Sequence, residues 1–160
     1  DHEGAQMIHL KDASSLTDSA FVNNALHPSG PVLDFTNIAT DCSHVVFAHL
    51  SLARQTMRLR TESGAKFDAR CAILGSAIAN ISWGGSVDPD LTIDANHTTG
   101  AAPSGATNHS QGGTSASQFV DVDQGDFTPA GELLVNLKPA KVSRNRNGSL
   151  RADSGPAGAI

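Results

Sequence analysis

Thr56-Met57-Arg58-Leu59-Arg60-Thr61, Glu62-Ser63-Gly64-Ala65 and Lys66-Phe67-Asp68-Ala69-Arg70-Cys71-Ala72-Ile73 form the stretch on which the fold turns. Met57 and Leu59 alternate with Thr56, Arg58 and Arg60, the period of two expected when one strand face is buried and the other wetted. Residues 62–65 hold the polar and glycine residues of a hairpin turn. The return strand then sets Phe67, Ala69, Cys71 and Ile73 inward and Asp68 and Arg70 outward. Upstream, Val32, Leu33 and Phe35 start a strand running toward Cys42, and Val46, Ala48, Leu50 and Leu52 share one face. Downstream, Gly75-Ser76 marks a turn or bulge before the inward set Ala79, Ile81 and Trp83. Residues 119–123 and 132–138 read as two further strands. About seven short strands separated by turn signals predict an all-β fold, a single antiparallel β-sandwich or jelly-roll-like domain. No internal repeat is apparent.

The same reading divides the chain into an N-terminal arm (1–30), the sandwich (31–139) with a long Gly/Ser/Thr loop at 96–117, and an irregular basic, Gly/Ala-rich tail (140–160). A length of 160 residues suits one domain. Aromatics make up only 4% of the chain, with six Phe, one Trp and no Tyr, so the core must rest on Val, Ile, Leu and Ala.

The net charge of −5 is distributed in blocks. Residues 1–53 carry six acids against Lys11, and 72–137 carry seven acids and no Lys or Arg. Residues 54–71 hold Arg54, Arg58, Arg60, Lys66 and Arg70; residues 138–160 hold Lys138, Lys141, Arg144, Arg146 and Arg151 against Asp153. Such blocks suit complementary surfaces on neighbouring copies, although a solvated tail and solvated faces account for any one block more simply. An acidic total with few aromatics argues against nucleic acid as a partner. No apolar run reaches the roughly 20 residues of a membrane-spanning helix. With a first residue that is Asp1 rather than Met, this is the pattern expected of a secreted chain whose signal peptide has been removed.

Cys42 and Cys71 are expected to form a disulfide in that setting, closing a loop of about 30 residues worth roughly 3–4 kcal/mol. Asn80, Asn96, Asn108 and Asn147 each begin an Asn-x-Ser/Thr sequon and are candidate glycosylation sites. Asp121, Asp123 and Asp126 lie close together beside Gly125, and Asp88, Asp90 and Asp94 form a looser group. Both offer the oxygen ligands Ca²⁺ requires, without the helical flanks or closing Glu of an EF-hand; a solvated acidic turn explains the same residues. The histidines lack metal-binding spacing: His44 and His49 are five apart, and His97 and His109 twelve apart in the expected loop. Nucleophile-elbow, phosphate-loop and dinucleotide motifs are missing, so the reading is of a non-enzyme, and no catalytic residue or other cofactor is assigned.

What the sequence favours is a secreted structural subunit that assembles with copies of itself into a filament or surface layer. An N-terminal arm carrying Met7, Ile8 and Leu10 would add a strand to the next copy. The architecture so read is similar to that of secreted β-sandwich subunits of pili and other surface filaments, without their terminal signatures. A glycan- or protein-binding module using the 84–117 loops near Trp83 is the alternative, and a hydrolase with a site assembled in space is the second.

Overall fold

Alternation decides which side chains are buried but not what a strand pairs with. The computed structural model describes residues 8–11, 15–22, 25–26, 33–61, 65–84, 86–87, 91–124 and 126–130. Along the chain run β1 (Ile8–Lys11), β2 (Ala20–Val22), β3 (Ala25–Leu26), β4 (Leu33–Ile38), β5 (Val46–Ala48), β6 (Ser51–Thr61), β7 (Lys66–Phe67) and β8 (Ala72–Leu74). They are followed by β9 (Ala77–Gly84), β10 (Ser86–Val87), β11 (Thr92–Asp94), β12 (His97–Thr98), β13 (Ser110–Gln111), helix α1 (Ser115–Gln118), β14 (Phe119–Asp121) and β15 (Asp126–Pro129).

The expected antiparallel sandwich is overturned. The seven-stranded sheet, ordered β1-β4-β6-β9-β12-β13 with β3 beside β6, and the four-stranded sheet, ordered β11-β8-β5-β2, contain only parallel pairs. Among the described residues, β14 and β15 alone pair antiparallel. Nor do β6 and β7 form the expected hairpin: β6 pairs with β3, β4 and β9, and β7 pairs with β10. Parallel neighbours need a long return path, and each turn of this chain supplies it by passing through the other sheet. The result is a parallel β-solenoid.

The register exposes a repeat that the spacing conceals. Ile8, Leu33, Met57 and Ile81 stack in one column, and Leu10, Phe35, Leu59 and Trp83 occupy equivalent positions in the next. In the four-stranded sheet the column is Phe21, Phe47, Ile73 and Ile93. The step between equivalent residues is not constant. It is 26 from Ala20 to Val46 and from Val46 to Ala72, then 20 from Ala72 to Thr92, and 13 from His97 to Ser110.

Bends of two residues carry the chain from one sheet to the other, and each begins with a residue of positive φ: His49 (+53°), Gly75 (+56°), Ala95 (+58°) and Asn108 (+45°). Their backbones form a ladder, with His49 N–H donating to Leu74 O (2.9 Å), Gly75 N–H to Asp94 O (3.0 Å) and Ala95 N–H to Thr107 O (3.1 Å). A second ladder of side chains runs one residue further on. Ser76 Oγ accepts from Leu50 N–H at 3.1 Å, and Asn96 Oδ1 accepts from Ser76 N–H at 2.9 Å.

The two sheets face each other across one apolar core. Phe21 and Phe47 stack at 5.1 Å, and Phe35 meets both edge-on from the opposite sheet at 5.3 and 5.6 Å. Met57, Leu59, Phe67, Cys71 and Ile73 are all buried, as the alternation required. The outer face of the four-stranded sheet is apolar too, with Ala48, Ala72 and Leu74 buried beside Val22 and Val46. Burial on both faces is the rule for parallel sheets.

Alternation fails between Phe67 and Ala72, where one strand was expected. Cys71 N–H donates to Asp68 O at 2.9 Å, closing a turn. Asp68 Oδ1 accepts from Arg70 N–H, and Oδ2 accepts from Arg70 Nε–H, both at 2.9 Å. Ala69 therefore points to solvent and Asp68 inward. The side-chain bonds of Asp68 offer the backbone an alternative to extension.

Candidate functional site

Among the described residues, a dense group of buried polar side chains lies at the last bend, in the segment read from sequence as a long loop. His97 occupies the position that Ala77 holds one turn earlier, and Ser110 lies directly over it on β13. His97 is fully enclosed, as are Thr98 and Gln118. Its Nδ1 lies 2.5 Å from Ser110 Oγ, and its Nε2 lies 2.6 Å from Gln118 Nε2 and 3.2 Å from Gly112 O. Gln118 Nε2 also donates to Gly112 O at 3.0 Å. One proton assignment satisfies the set: His97 Nδ1–H donates to Ser110, His97 Nε2 accepts one Gln118 proton, and Gly112 O accepts the other.

α1 is what brings Gln118 into place. Thr114 caps it, with Thr114 Oγ1 accepting from Ser117 N–H at 3.3 Å while Ser117 Oγ accepts from Thr114 N–H at 2.8 Å. Phe119, the next residue, is buried.

His109 joins the group from the other side. Its Nε2 lies 3.0 Å from Thr98 Oγ1, whose own proton goes to Gly100 O at 2.8 Å. Burial, followed by the neighbouring His97, pushes the His109 pKa below its ordinary value. Two histidines twelve residues apart meet only because the solenoid places successive turns over one another.

A Ser–His pair doing nucleophilic chemistry needs an open approach to the serine oxygen and a base free to pass its proton on. Here the His97 ring is buried and both its nitrogens are engaged inside the fold.

The disulfide expectation is corrected, because Cys42 and Cys71 are buried free thiols. They are close, with Cys71 Sγ donating to Cys42 O at 3.3 Å. Burial, with Cys71 as the next cause, pushes the Cys42 thiol up to about 12, and burial raises Cys71 as well. Such thiols are poor nucleophiles.

Asp121 and Asp126 are register partners at the end of the β14–β15 hairpin. Asp121 Oδ1 accepts from Gln124 N–H at 3.1 Å, and Asp126 Oδ1 accepts from Thr128 N–H at 2.9 Å. Hydrogen bonds from Thr128 hold the Asp126 carboxyl below its usual value. Asp123 is exposed. Asp94 is committed elsewhere, with Oδ1 accepting from Thr107 Oγ1 (2.6 Å) and Asn108 Nδ2 (2.8 Å). Asp88 and Asp90 lie outside the described residues. Among the described residues, no three His, Cys, Asp or Glu side chains converge to hold a metal ion.

Of the sequons, Asn80 is exposed on β9 and Asn108 is exposed at its bend. Asn96 is fully buried and its amide is spent on Ser76 N–H and Ile73 O (2.8 Å), so it is a structural residue with no room for a glycan. Asn147 and Met7 lie outside the described residues. Ile8 and Leu10 pair within the chain, opposite Leu33 and Phe35.

The 84–117 loops invoked for ligand binding include strands β10, β11, β12 and β13, and Trp83 sits in register with buried Leu59. No described helix is long and apolar enough to cross a membrane.

The arrangement defines a parallel β-solenoid with a polar, histidine-containing final bend. Comparison with known proteins finds no matching family model, no matching curated protein and no matching solved structure.

Proposed function

We propose that the chain is a non-enzymatic structural subunit that stacks end to end with copies of itself. One observation carries this reading: the parallel solenoid ends in strands that, among the described residues, are paired on one side only. Among them are β1 toward its beginning and β13 toward its end. The step that takes one turn onto the next can be repeated by the first turn of another copy, which satisfies the same backbone donors and acceptors. Such a contact is head-to-tail and does not close, so it builds a fibre. Residues 8–11 already serve their own sheet, so the association uses the outer edge of β1 and not a donated arm. Charge is in keeping with this: the sequence carries six acids against Lys11 in residues 1–53 and five basic residues against Asp153 in 138–160, blocks of opposite sign that suit contact between copies.

Sedimentation velocity over a concentration series, with negative-stain electron microscopy, tests the reading. Large species that grow with concentration and dissociate as salt is raised are expected. Replacing Lys138, Lys141, Arg144, Arg146 and Arg151 together by Glu should abolish them while the circular dichroism stays that of the parent. A protein that remains monomeric at every concentration and salt overturns the proposal.

A further inference from the structure

We propose that His109 is an acid-sensitive latch fastening the short last described turn of the solenoid to the turns beneath it. The inference does not depend on self-association. The turn from His97 to Ser110 advances only 13 residues, half the length of the first turns, and most of its side chains between Ala101 and Asn108 are exposed. Little apolar burial holds it, so polar contacts must. Thr107 N–H donates to Ile93 O (2.9 Å), Ser110 N–H to Asn96 O (3.1 Å) and Gly112 N–H to Thr98 O (3.1 Å). Asp94 grips Thr107 and Asn108, and the two histidines complete the join.

The protonation state of His109 follows from counting hydrogens. Thr98 has one hydroxyl proton and gives it to Gly100 O, which can only accept. Its oxygen must therefore accept from His109 Nε2–H, leaving Nδ1 as the bare nitrogen of the neutral ring. Nδ1 is shut off from water and has no hydrogen-bond partner among the described residues. A second proton would sit on Nδ1 with nothing to receive it, and burying an unpaired charged donor is costly. Charge on the neighbouring strands offers no relief. His97 on β12 opposes a positive charge, and the Asp94 carboxylate on β11 is already bound to Thr107 and Asn108.

In the opened turn His109 is an ordinary hydrated histidine, titrating near about 6.5. Its pKa in the closed turn is lower, so the latch is fully effective above the open-state value. It weakens as pH falls from there toward the closed-state value, below which both forms carry the proton and no further loss occurs. Release removes β13 and leaves β12 as the last described strand of its sheet.

Hydrogen exchange of the whole chain, read by mass spectrometry and corrected for intrinsic rates, tests this. Protection of residues 106–111 should fall by up to about tenfold per pH unit below about pH 6.5, the limit for one proton, while residues 46–48 and 72–74 do not change. His109→Gln, which keeps an N–H for Thr98 but cannot charge, should abolish the pH dependence, and His97→Gln should retain it. Equal pH dependence in H109Q and the parent overturns the proposal, as does its absence from the parent. Should H109Q lose protection throughout, nitrogen-15 NMR of the parent decides. An Nε2–H tautomer with a depressed titration midpoint upholds the latch, and an Nδ1–H tautomer or an ordinary midpoint overturns it.

Discussion

Gly75 is the position at which substitution should be most informative. Its φ is +56°, and a Cβ built there would lie 2.7 Å from His49 Cε1 and 2.9 Å from His49 Nδ1. His49 is only 2% exposed and belongs to the bend one turn earlier, so its ring has nowhere to retreat. Gly75→Ala therefore incurs two costs. The left-handed backbone with a side chain costs about 1–2 kcal/mol, and overpacking of an enclosed ring adds about 1–3 kcal/mol. The sum is about 2–5 kcal/mol. Gly105 supplies the control: its φ is +80° but no atom lies within 4 Å of its would-be Cβ, so G105A should cost only the backbone part. Urea unfolding of the parent, G75A, G105A, H49A and the H49A/G75A double variant measures the difference. In the H49A background G75A should cost no more than G105A, because the clashing ring is gone. If G75A proves as mild as G105A with His49 intact, the stacked-bend reasoning is wrong.

Three further outcomes are expected. Asn96→Ala strands Ser76 N–H and Ile73 O in the interior and should cost about 2–5 kcal/mol in urea unfolding. Ellman titration without reductant should find no reactive thiol in the folded chain and both Cys42 and Cys71 in urea, whereas finding neither in urea would mean they are bridged. Burial raises the Asp68 carboxyl, but Arg70 and the hydroxyl of Ser43 outweigh this and hold it below its ordinary value. The stability it contributes is thus complete above about pH 4 and lost as pH falls through the lower folded value. Asp68→Asn should cost about 1–3 kcal/mol near neutrality, and its deficit relative to the parent should shrink toward pH 2.

Much of the core was legible before the structure was known. Met57 and Leu59 against Arg58 and Arg60 identify a half-buried strand by local chemistry alone, and Phe67, Cys71 and Ile73 are inward as expected. What misled was the segment between them. Asp68 turns the chain through its own side-chain bonds, and that competition is invisible to a count of alternating residues. The repeat was equally hidden. Ile8-His9-Leu10, Leu33-Asp34-Phe35, Met57-Arg58-Leu59 and Ile81-Ser82-Trp83 are the same apolar-polar-apolar unit, spaced 25, 24 and 24 residues apart. Comparing those triplets would have revealed it, but the later steps of 20 and 13 residues break the periodicity. The histidine group left no signal, because His97 and His109 carry no spacing that a single strand or helix would bring together.

The amino-acid order alone decided that this chain is extended and, within an unbroken strand such as Thr56–Thr61, which residues turn inward, since burial of one strand face depends only on neighbours two residues apart. Whether those strands pair parallel or antiparallel belongs to the tertiary structure, because a period of two is the same in both arrangements. The choice was made at His49, Gly75, Ala95 and Asn108, where left-handed residues bend the chain from one sheet to the other and so return each strand beside its predecessor in the same direction.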